Sequence, residues 1–170
     1  LGSYYYSSEL ISFLASIVLA RLLLPEEDGI VAMVTVFSNF VIIFSGAGIG
    51  ADIIRSNYKL TYHKAMLNLS MYIGIGLFVL MALLSYPIAL FYGNMKLIYP
   101  TLVISSQFII KGIINVHYSL IMKSMNFNYL GKINLFANIY SSGLMILMAA
   151  LGFSYWSLII PLLVAELLKL

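Results

Sequence analysis

Gln107, Lys111, Asn115 and Tyr118 recur at spacings of four, four and three. On a helix this puts two amides, an ammonium and a phenol on one face. Lys111 is the one Asp, Glu, Lys or Arg between about Tyr99 and Met122. A charge inside a bilayer is costly and usually functional. Lys111 could offer a cationic contact to a ligand, pair with an acid, or reach a water-filled crevice. A second face carries Tyr5, Glu9, Ser12 and Ser16. There Glu9 could pair with Lys111, bind a coupling proton or cation, or sit as an interfacial carboxylate. A third face carries Asn134, Asn138, Ser141 and Ser142; such residues line cavities, and they also hold membrane helices together. Thr35, Ser38 and Asn39 make a fourth, read as packing. Arg21 snorkels to an interface or lines the mouth of a cavity. His63 and His117 are isolated, so no metal site is expected.

The elements that must position these residues follow from composition. The chain has 170 residues, 62% hydrophobic and 9% charged, against roughly 25% charged in a soluble domain. So little charge cannot cover a water-facing surface, and an all-α integral membrane protein is expected. The alternating 10-residue segments of a β-barrel are absent. With no cysteine there is no disulfide framework, and the scattered basic residues give no nucleic-acid surface. No cofactor is expected. Six apolar segments emerge, at about 4–24, 29–51, 65–91, 99–122, 133–151 and 155–170. They predict one six-helix bundle over 1–170, cut at both ends, since the chain starts at Leu1 and stops inside an apolar run. No signal peptide is read at the start.

Charge sorts the links. The link after segment two holds Arg55, Lys59, His63 and Lys64, and the link after segment four holds Lys123 and Lys132. The link after segment one holds Glu26, Glu27 and Asp28, which are half of all the acids in the chain. Cytoplasmic links collect Lys and Arg, so the even links and the N-terminus are expected inside. Pro25 suits the first position of a helix. Glu26 and Glu27 then fall in its first turn, where carboxylates favour the positive end of the helix dipole.

LARLLLPEEDGIVAMVTVF (Leu19 to Phe37), GAGIGADIIRSNYKLT (Gly46 to Thr61), HYSLIMKSMNFNYLGKI (His117 to Ile133) and ALGFSYWSLI (Ala150 to Ile159) together resemble the polysaccharide and lipopolysaccharide flippases. These belong to the multidrug/oligosaccharidyl-lipid/polysaccharide (MOP) exporter superfamily. The sequence departs from the family pattern at Leu24, where Ser usually precedes the proline, at Asp28 and Asp52, and at Ser154, where Gly is frequent.

The resemblance implies the N-terminal bundle of a MATE-like transporter with two bundles, the C-terminal one absent here. It implies a multi-pass protein of the bacterial cytoplasmic membrane that flips a lipid-linked oligosaccharide on a polyprenyl-pyrophosphate carrier by alternating access. Membrane lipids and a coupling proton or sodium would be its other partners. Under that resemblance Lys111, Gln107, Asn115, Tyr118, Glu9, Ser12, Asn138 and Arg21 are the candidates to line the cavity, with Lys111 facing pyrophosphate or sugar. Two other functions stay open. One is an ion-coupled small-molecule exporter of the same superfamily, which would need an essential embedded carboxylate such as Glu9. The other is a membrane polysaccharide polymerase or ligase, which would need a larger outer loop than any of about 14 residues here and a positioned acid, base or phosphate clamp. The chain alone, its polar faces lacking an opposing wall, is expected to aggregate in mild detergent. A monodisperse chain with a cooperative thermal transition would refute this.

Overall fold

The computed structural model describes residues 2–45, 60–125 and 127–170. Every element in them is helical: α1 (Gly2–Leu22), α2 (Pro25–Ser45), α3 (Leu60–Phe91), a 3₁₀ turn (Met95–Leu97), α4 (Ile98–Ser105), α5 (Gln107–Lys123), α6 (Phe127–Ala150) and α7 (Trp156–Leu167). The expected all-α fold is present, with no strand among the described residues. Three helical stretches there are long and apolar enough to cross a membrane: Lys64–Phe91, Met95–Lys123 and Phe127–Ala150. The GAGIG stretch, Asp52, Arg55 and Lys59 lie outside the described residues, as do the side chains of Tyr5 and His63.

Helix bounds differ from the apolar segments in an instructive way. Both α3 and α6 start about five residues before the expected positions. Lys64 and Lys132 end an apolar window, yet both are exposed. A lysine on an outer face leaves the helical hydrogen bonds intact. The fourth segment, expected as one helix, is divided at Ser106. There Ser105 and Ser106 each donate a hydroxyl proton to their own helix, at 2.7 Å to Leu102 O and 2.7 Å to Val103 O. Such back-bonding competes with the helical ladder and bends it.

The surface is inverted relative to a soluble protein. Leu83 (72% exposed), Phe40 (64%) and Phe13 (63%) point outward. Ser85, Thr101, Ser119, Ser141 and Ser157 are buried, each donating to a carbonyl three or four residues earlier, in its own helix or, for Thr101 and Ser157, in the turn just before it. In lipid a polar group needs an internal partner, and most of the buried hydroxyl side chains find one on a nearby carbonyl, Ser38 and Ser70 excepted.

The helices pack in pairs, α1 on α6, α3 on α5 and α6 on α7. At the α3–α5 crossing two glycines bring the backbones together. A Cβ on Gly74 would lie 2.6 Å from Phe108 O, and one on Gly112 would lie 2.6 Å from Ser70 O. Close backbone approach over small residues is how helices associate where lipid removes the hydrophobic drive. One end of the bundle is densely filled. Ile30, Val31 and Val34 of α2 meet Ala89, Leu97, Ile104 and Ile159, with Tyr155 and Trp156 packed against them. Near the opposite end the buried cluster centres on Val116, with Met66, Leu67, Ile73 and Leu120 around it.

A carboxylate fastens the dense end. Glu27 Oε2 accepts the backbone N–H of Leu24 at 3.2 Å, so the third residue of α2 reaches back to cap the helix start. This serves the position where Leu24 has no side-chain oxygen to offer. Glu27 Oε1 accepts the hydroxyl of Ser154 in the α6–α7 turn. Ser154 sits at φ 55°, a left-handed conformation that costs a non-glycine residue about 1 kcal/mol or more. A hydrogen bond to a charged group contributes about 1.5–3 kcal/mol, enough to offset that cost. The acidic turn and the aromatic turn, both expected outside, thus share one end of the bundle.

Two outcomes test these contacts. Gly112→Ala should destabilise the protein by about 1–3 kcal/mol, read as a lower thermal midpoint in detergent. Gly76→Ala on the same α3, whose Cβ meets nothing within 4 Å, should not; equal effects would refute the crossing. Ser154→Gly should cost less stability than Ser154→Ala, because glycine removes the strain as well as the bond. The reverse order would refute that account.

Candidate functional site

Two adjoining cavities lie between α1, α5, α6 and α7. The smaller, about 350 Å³, is lined by Lys111, Ile114, Asn115 and Tyr118 of α5 together with Ile42, Asn134, Glu166 and Lys169. The larger, about 540 Å³, is lined by Tyr4, Tyr6, Ser8 and Glu9 of α1, by Asn134, Asn138 and Ser141 of α6, and by Tyr118, Met122, Phe127, Lys169 and others. Tyr118, Asn134 and Lys169 border both.

Three of the four residues expected on one face of α5 meet in the smaller cavity: Lys111, Asn115 and Tyr118. Gln107 does not line it and is 4% exposed at the start of α5, beside the break at Ser106. Lys111 Nζ lies 3.7 Å from Glu166 Oε1, and Glu166 Oε2 lies 3.5 Å from Lys169 Nζ. The three side chains are 20%, 16% and 25% exposed. One carboxylate between two ammonium groups leaves one net positive charge against the cavity. A lone mid-span lysine is thereby matched, as the cost of burying a charge requires.

On the α1 side Glu9 borders the larger cavity, and no ion pair to it occurs among the described residues. Ser12 and Asn138 face each other. Asn138 Nδ2 donates to Ser8 O at 3.1 Å and to Ser12 Oγ at 2.9 Å, and Ser142 donates to Asn138 Oδ1 at 3.1 Å. This clasp holds the N-terminal half of α1 on α6. A glycine helps it, since a Cβ at Gly131 would come within 3.0 Å of the Tyr4 ring. Asn138 therefore does both tasks open to it in the sequence, joining two helices while one edge borders the cavity. Asn134 donates to the Tyr118 hydroxyl at 2.6 Å, fixing the phenol between the two cavities. Arg21 lies in the last turn of α1 and lines neither cavity.

Sequence reasoning left Glu166 without a role and passed over Lys169. The signal was there: an acid and a base three apart in an otherwise apolar run, one helical turn from each other. What the sequence could not supply was the approach of α7 to α5, which places them opposite Lys111.

Residues 18–170 match the profile of a family described as "Polysaccharide biosynthesis protein". This range takes in all four quoted motifs. The succinoglycan biosynthesis transport protein ExoT of Rhizobium meliloti (strain 1021) is 30% identical over 165 residues, covering 94% of this chain. The chain spans about a third of that relative's length, 33%. No solved structure matches it. With the match extending over nearly the whole chain, this protein belongs to the polysaccharide biosynthesis protein family.

Proposed function

We propose that this chain forms part of a transporter that carries a lipid-linked oligosaccharide, on a polyprenyl-pyrophosphate carrier, across the cytoplasmic membrane by alternating access. The observation that carries the reading is the pair of adjoining cavities with shared walls. The smaller presents two ammonium groups and one carboxylate. The larger presents tyrosine and phenylalanine rings, amides and the Glu9 carboxylate. A carrier-linked sugar has the same division, an anionic diphosphate joined to a hydroxyl-rich glycan. Lysine contacts phosphate as a point charge. Amides and carboxylates hydrogen-bond hydroxyls. A transport relative in polysaccharide biosynthesis supports the same reading. On this reading the even links and the N-terminus face the cytoplasm, supported by Lys64, Lys123 and Lys132 in the helix ends that flank those links. Under this reading the cavities, which lie beside Tyr4 and Phe127 at the starts of α1 and α6, are nearer the cytoplasmic end.

A second reading, an ion-coupled exporter of small molecules, is favoured by the cavity-facing Glu9. The full-length protein, reconstituted in proteoliposomes with a fluorescent lipid-linked oligosaccharide, separates the two. Lys111→Ala should lower translocation about tenfold or more, the scale of a lost hydrogen bond to a charged group, while the helical content is retained. Glu9→Gln should leave most of it. Transport that survives Lys111→Ala unchanged would refute the cationic contact. Loss of proton-linked efflux in Glu9→Gln, with no oligosaccharide transport in the parent, would establish the exporter instead.

A further inference from the structure

We propose that the Glu166 carboxylate is a resident counter-anion of the Lys111 site, which an entering phosphate group displaces from Lys111 while Lys169 retains it. This inference rests on the reading of Lys111 as an anion contact. Four observations carry it. The three charged groups border one cavity of about 350 Å³, so a ligand there meets all of them. Both ion pairs are loose, at 3.7 and 3.5 Å, against about 2.7–2.9 Å for tight charge-assisted hydrogen bonds. All three side chains keep some exposure, 16–25%, so an incoming anion finds them accessible.

The fourth observation is the unequal tethering of the two lysines. Lys169 lies three residues after Glu166, and its backbone N–H donates to Glu166 O at 3.2 Å. That pair stays together wherever the end of α7 goes. Lys111 belongs to α5, so its link to Glu166 crosses between helices and is the one that can part. A phosphate oxygen offers what the carboxylate offers, a charged acceptor of the same reach. The exchange keeps an anionic oxygen beside each lysine, the shared carboxylate before it and the phosphate or the carboxylate after it, as the expense of bare charge within a membrane favours. Glu166 thus acts as a competitor: it weakens the empty site's hold on phosphate and eases release.

The test is isothermal titration of inorganic pyrophosphate into the full-length protein in phosphatidylcholine nanodiscs. Glu166→Gln should bind about tenfold more tightly than the parent, and Glu166→Gln with Lys111→Ala should lose that gain. Glu166→Asp, whose shorter arm stays near Lys169 and withdraws from Lys111, should fall between; it carries the test if the glutamine variant does not fold. Affinity unchanged or weakened in the folded Glu166 variants, with Lys111→Ala still weakening the parent, overturns the counter-anion and leaves the anion site standing. Pyrophosphate binding that ignores Lys111 in every variant, or is absent from all, overturns the anion site and the counter-anion with it. Nanodiscs with added phosphatidylglycerol identify the phosphate's source. Competition by that lipid, stronger in Glu166→Gln than in the parent, supports displacement by a lipid headgroup. A tightening that anionic lipid leaves untouched supports displacement by a diphosphate.

Discussion

Charge is scarce in this chain, and the way it is matched governs the rest of the structure. A carboxylate or an ammonium in lipid must find a partner, and one acid here serves two partners at each of two places. Glu27 joins the start of α2 to the α6–α7 turn through Leu24 N–H and Ser154. Glu166 joins α7 to α5 through Lys111 while holding Lys169. The first tie stands half-buried beside the dense end, next to Tyr155 and Trp156 of that cluster. The second stands beside a cavity, with loose distances. The same chemistry thus fixes one region and leaves the other able to exchange partners.

Between these ties the helices approach one another closely through small and polar groups. The α3–α5 crossing depends on the absence of a Cβ at Gly74 and Gly112. The α1–α6 contact depends on an amide that reaches a carbonyl and a hydroxyl across the gap. Apolar burial is concentrated on the α3–α5 side, where Phe108 shares a cluster with Met81 and Val116 packs with Met66, Leu67 and Ile73, while many other large apolar groups face outward where lipid would surround them. The polar groups left inside are mostly serines and threonines, most of them bonded to a nearby carbonyl. An interior of this kind can border on water without loss, and the cavities occupy that interior.

Much of the fold was legible because membrane helices announce themselves by length and hydropathy. The positions of the helices, the helical start at Pro25 and the shared face of Lys111, Asn115 and Tyr118 all follow from spacing and local preference. The helix bounds at Leu60 and Phe127 did not, because exposed Lys64 and Lys132 interrupt a hydropathy window without interrupting a helix. The break at Ser106 was hidden because two serines read as ordinary polar residues until their hydroxyls are seen on their own helix. The partner of Lys111 was hidden for a different reason. Glu166 lies 55 positions further along the chain, and periodicity describes single helices, not which of them meet. The departures at Leu24 and Ser154 looked independent in the sequence. In the fold they lie on either side of Glu27 and are accommodated by the same carboxylate.

The glycine crossing of α3 and α5 has a mechanical corollary. The backbones approach closely at Gly74 and Gly112, and buried side chains of both helices flank that approach, Phe108 with Met81 towards one end and Val116 with Met66, Leu67 and Ile73 towards the other. Gly74 stands 14 residues from the start of α3 at Leu60, about 21 Å of helix. A pivot of roughly ten degrees there would sweep the Leu60 end through about 4 Å. The far arm of α3, from Gly74 to Phe91, ends in the dense cluster and is braced. The Leu60 arm is held in turn by Met66, Leu67 and Ile73 against Val116, so any such pivot would have to repack that cluster.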